Sequence, residues 1–183
     1  MTQLMTAAEV AAFTGLDEKS VRKDVEHGIV GTASPPRFGF AAVVYFRVMA
    51  LLGLHLGTAD RRRLYGLIAE ALDARKAKVA LGPIAELKLG DLKNEIEGKL
   101  EQFGRWKQKL VVDDQILGGE PVFPKSRLAV RQVGTMLLRG ASPDDIREDY
   151  SYLTEQDIEF AKLFALAYPR VGRPREAGQA SAR

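Results

Sequence analysis

Lys19, Ser20, Arg22 and Lys23 are of the types that hold phosphate oxygens and base edges. They lie opposite Val21 and Val25, four apart, which would face inward if the stretch is helical. Arg37 sits between Pro36 and Phe38. A second cationic group, Arg170, Arg173 and Arg175, stands near the end of the chain. Other chemistries lack their residues. There is no cysteine, no Gly-x-x-x-x-Gly-Lys-Ser/Thr and no His-Glu-x-x-His. Asp113-Asp114 and Asp144-Asp145 are adjacent pairs, suited to turns and caps rather than to two carboxylates facing one substrate. Of the two histidines, His27 is expected at a helix C-terminus beside Gly28, and His55 in the core of an apolar helix. The expectation is a protein without enzymatic activity, metal or cofactor.

The elements that would carry the first group are marked by close stop and start signals. Thr6 with Glu9 three residues on makes a capping box, and Met5 and Val10 a hydrophobic staple. Gly15 ends a helix of two turns. Asp17 caps a second helix that Gly28 stops. Two short helices with a glycine-containing turn form a helix-turn-helix pattern, although Asp24 and Glu26 are expected to dilute its positive face. A loop with Pro35-Pro36 follows, then the apolar run Phe40–Leu56, read as one buried helix because Arg47 interrupts it and it is too short to span a bilayer. Helix, turn, helix, wing and packing helix over residues 1–57 resembles the MerR-type winged-helix domain. That resemblance implies DNA contacts from Lys19, Ser20, Arg22 and Lys23, and from Arg37 on the wing.

Residues 58–110 read as a helical spacer or dimerisation segment. Leu64, Leu67, Ile68, Ala71, Leu72 and Val79 recur at helical spacing behind Asp60 as a cap. The Arg61-Arg62-Arg63 run reads as a solvated helix start. Pro83 and Gly90 bracket a short strand, and from Asp91 a stripe of Leu92, Ile96, Leu100, Phe103 and Trp106 predicts a second helix, with Glu95–Lys99 and Glu101–Arg105 as supporting pairs.

Residues 111–169 predict an extended start, a turn at Gly118-Gly119, a short strand at Pro121–Phe123 and three helices. The first runs to Gly140, the second starts at Ser142-Pro143, and the third at Thr154. Gly118, Gly119, Pro121, Val122, Arg127, Val130, Gly140, Ser142, Pro143, Ile146, Tyr150, Leu153 and Thr154 are spaced as in the small trihelical domain of unknown function numbered 433, which this stretch resembles. Lys125-Ser126 stand where that family usually has Gly-Thr. The resemblance implies an antitoxin of the VapB type, one that neutralises a PIN-like ribonuclease toxin and represses its own promoter.

Of the 27 Lys and Arg and 24 Asp and Glu, four arginines and one glutamate fall in residues 170–183, which leaves residues 1–169 with 23 of each. The whole +3 excess is on the tail. Its Gly-Arg-Pro-Arg at 172–175 resembles an AT-hook core, which implies minor-groove contacts from Arg173 and Arg175. The alternative gives Arg170, Arg173 and Arg175 to a toxin's metal-binding carboxylates. The expected whole is a mainly α, cytoplasmic homodimer with operator DNA and a toxin as partners and no membrane. A MerR-like regulator without a toxin, and a protein-interaction scaffold, are the competing readings.

Overall fold

A computed structural model describes residues 4–31, 34–83 and 85–169; the basic tail at 170–183, with Arg170, Arg173 and Arg175, lies outside the described residues. The described residues are mainly helical, with one small hairpin among them. Helix α1 (Ala7–Thr14) starts on the expected box, with the Thr6 amide donating to Glu9 Oε2 at 2.8 Å and the Glu9 amide to Thr6 Oγ1 at 3.2 Å. Met5 and Val10 are both buried. Gly15 closes the helix at φ 82°, a left-handed conformation that glycine adopts without a Cβ penalty. Helix α2 (Glu18–Glu26) is capped by Asp17, which accepts from the Ser20 amide at 2.8 Å. The loop after it returns to pair Phe38 with Met5 through two backbone hydrogen bonds of 2.9 Å.

Helix α3 (Phe40–Leu52) is shorter than the apolar run suggests, because Gly53 turns left-handed and ends it. His55 therefore lies beyond the helix and is exposed, not a core residue. Arg47, the charge inside the run, points out to Glu95 at 2.8 Å. Helix α4 (Thr58–Asp73) is capped by the Gly57 backbone, so Asp60 is a first-turn acid and not the cap. Its apolar stripe ends with α4: Val79 lies in β1 (Lys78–Ala80), which pairs antiparallel with β2 (Glu86–Lys88). Gly90 is inside helix α5 (Leu89–Lys107) rather than a break before it. Glu101 and Arg105 pair at 3.5 Å, but Glu95 is taken by Arg47 and so does not serve Lys99.

Beyond α5 the chain makes single bridges, Val111 to Val122 and Val122 to Ala129, around a 3-10 turn at Leu117–Gly119; bridges, not a strand, occupy Pro121–Phe123. Helices α6 (Val130–Leu138), α7 (Pro143–Asp149) and α8 (Glu155–Ala167) follow, α6 ending two residues before Gly140 and α7 and α8 starting at Ser142 and Thr154 as expected. Ser142 with Asp145, and Thr154 with Asp157, form two further capping boxes.

Helix α8 is the hub of the packing. It lies against α6, α1, α5 and α7 and buries Ile158, Phe160, Ala161, Leu163, Phe164, Ala165 and Ala167. Its approach to α6 is closest at Gly134, where a Cβ would fall 2.1 Å from the Ala161 carbonyl oxygen. Trp106 fastens α5 into the same core: its ring sits among Phe103, Phe123, Phe160 and Phe164, and its Nε1 donates to Asp157 at 2.8 Å. One buried cluster runs from Met5 to Phe164, continuous across positions 57 and 110. The middle segment is thus packed into the body of the protein.

Candidate nucleic-acid interface

Helix α2 places Lys19, Arg22 and Lys23 in solvent, with Ser20 half-buried beside its cap. Not all of them are free. The Ser20 hydroxyl donates to Asp17 Oδ2 at 2.7 Å, so it belongs to the cap. Arg22 reaches back one turn, its Nε donating to Glu18 at 2.8 Å, an exposed i,i+4 pair that a stronger anion can displace at little cost. Lys19 and Lys23 are exposed, and Arg37 is exposed on the loop that precedes the Phe38 bridge.

Asp24 is not on that face. It is 1% exposed and turned inward, where Tyr45 Oη of α3 donates to its Oδ2 at 2.8 Å and the Arg61 guanidinium of α4 pairs with its Oδ1. Burial pushes the Tyr45 phenol far above its ordinary range, so it stays a donor. Arg62 continues the attachment, its Nη2 donating to the His27 carbonyl at 2.9 Å, at the end of α2 where carbonyls lack helical partners. His27 itself is the C-cap. The Arg61-Arg62-Arg63 run is therefore more than a solvated start: two of its members hold α2, and Arg63 is exposed. Sequence reasoning missed Asp24 and Arg61. The signal available was spacing, since Asp24 stands three residues after Val21 and so shares its face.

Helices α7 and α8 carry mostly acids, with Arg147 pairing Asp144 and Glu155. Asp144, Asp145, Glu148, Asp149, Glu155 and Glu159 are exposed on α7 and α8. Ahead of them lies the turn at 123–128, which carries Lys125-Ser126. Lys125 takes φ 58°, and Ser126 Oγ donates to the Phe123 carbonyl at 3.1 Å while accepting from the Leu128 amide at 3.2 Å. The Ser126 hydroxyl closes the turn, and Lys125 takes a left-handed backbone that glycine would adopt more easily.

Among the described residues, no group of three or more His, Asp or Glu is placed to hold a metal ion, and no helix is long and apolar enough to cross a membrane. Residues 110–165, from just beyond α5 into α8, match the sequence family described as a protein of unknown function, DUF433. Comparisons with curated proteins and with solved structures gave no match.

Proposed function

We propose that the protein is a DNA-binding antitoxin: a dimer whose α2 enters the major groove of its own operator, with Arg37 on the adjoining loop touching the backbone, while the C-terminal module engages a PIN-like ribonuclease. The observation that supports it best is the sorting of charge on α2. Lys19, Arg22 and Lys23 are exposed, while Asp24 is withdrawn into the core. A helix with its cations outward and one of its acids inward is suited to an anionic surface. The toxin half of the reading rests on the resemblance of the C-terminal module, and its exposed acids favour a protein partner over DNA at that end.

The test is binding to the duplex upstream of its own coding sequence across a salt series, with the full chain, a form ending at Pro169, and Arg22→Ala/Lys23→Ala. The double variant should lose most of its affinity and flatten the salt dependence by about two phosphate contacts. Unchanged binding would remove α2 from the interface. A truncated form that binds as the full chain does would assign Arg170, Arg173 and Arg175 to the ribonuclease.

A further inference from the structure

Of the nine residues of α2, only Val21 and Asp24 are buried. Val25 is half-buried against the same core, so two valines seat the helix, and the carboxylate between them adds the directional contact that refines the angle at which α2 presents its cations. That carboxylate has two partners on two other helices, Tyr45 on α3 and Arg61 on α4. Arg61 is itself largely buried, at 18% exposed, and its Nε also lies 3.4 Å from Tyr45 Oη. A planar guanidinium held this way dictates direction as well as charge. Arg62 fixes the last turn of the same helix.

We infer that Arg61 is a positioning residue for nucleic-acid binding: through Asp24 it sets the presentation of α2, and so makes the middle segment part of the DNA-binding unit. The inference rests on the reading of α2 as the DNA-contacting helix. Buried ion pairs add little to stability compared with apolar packing, and directional specificity is their better-attested use.

The test uses the full chain and its own upstream duplex. Arg61→Met alone would leave Asp24 buried without its cation and could unfold the protein. The informative variant is therefore Arg61→Met with Asp24→Asn, which removes both charges, alongside Arg61→Lys. With helical content unchanged by circular dichroism, the double variant should bind at least tenfold more weakly. Its slope of log affinity against log salt should equal that of the unaltered chain, because no phosphate contact has been removed. Arg61→Lys, which keeps the charge without the fork, should recover part of the loss. A folded double variant that binds normally overturns the inference, and so does a slope reduced by about one, which would make Arg61 a phosphate contact. Absence of binding by the unaltered chain at every salt concentration overturns the DNA reading itself, and with it this inference.

Discussion

Helices α2 and α8 are built on opposite terms. Helix α8 buries seven side chains and touches four other helices, so its position is fixed by shape. Helix α2 buries two, one of them a carboxylate, with Val25 half-buried beside them, and a few directional polar contacts share in fixing its position. A helix surrounded by its own fold has little surface left for a partner. A helix attached along one narrow edge can offer the rest of its circumference. The contrast is one of attachment: α8 is held by shape on most sides, and α2 along one edge that leaves most of its side chains exposed or half-buried.

The sharpest way to break this contrast is at Trp106. Trp106→Ala removes a ring packed among four phenylalanines and should cost about 3–5 kcal/mol in chemical denaturation. Because one core runs through the chain, α1 and α3 should melt with α8 in a single transition. Separate transitions would mean that the two ends are independent. Gly134→Ala should follow at about 1–3 kcal/mol, since its new methyl meets a backbone carbonyl that cannot move without shifting α8.

Acid should act on both regions through their caps. Hydrogen bonds from Ser20 hold Asp17 below the ordinary carboxylate range, and those from Ser142 do the same for Asp145. For Asp157, burial pushes upward but is outweighed by Thr154 and Trp106, and the net shift is again downward. Groups with lowered folded-state pKa values contribute stability above about pH 4 and lose it as pH falls through the lower folded values. Helix starts should therefore fray in strong acid, as followed by amide chemical shifts. Trp106→Phe should move the Asp157 midpoint upward and leave that of Asp17 in place. The smallest effect is a gain. Lys125→Gly should stabilise by about 0.5–1 kcal/mol, read as a rise in melting temperature, because glycine accepts φ 58° without penalty.

What could be read in the sequence was what depends on neighbours in the chain. The box at Thr6, the helix starts at Ser142 and Thr154, the Asp17 cap and the closing Gly15 are all settled within four residues, and the structure has each of them. What could not be read depends on partners far along the chain. Whether Asp24 dilutes a surface or anchors a helix is decided by Arg61, and whether Glu95 supports Lys99 is decided by Arg47. Val79 continues the α4 stripe in spacing, but Arg75 has already turned left-handed at φ 53° and sent the chain into a hairpin. His55 was placed by the hydrophobicity of its neighbours, and one glycine two residues earlier put it in solvent.

The root of the tail has a bearing on reach. Tyr168 Oη donates to Glu9 at 2.8 Å and accepts from Lys107 Nζ at 2.9 Å, which pins the end of α8 to the first turn of α1. Met5, just before that turn, is bridged to Phe38, the neighbour of Arg37. The last described residues and the loop after α2 are thus both moored at the start of α1. Fourteen residues follow Pro169, and even fully extended they could reach at most about 50 Å from that anchor. On the proposed DNA-binding reading, the tail arginines and Arg37 would therefore start from one anchor and reach the same stretch of duplex.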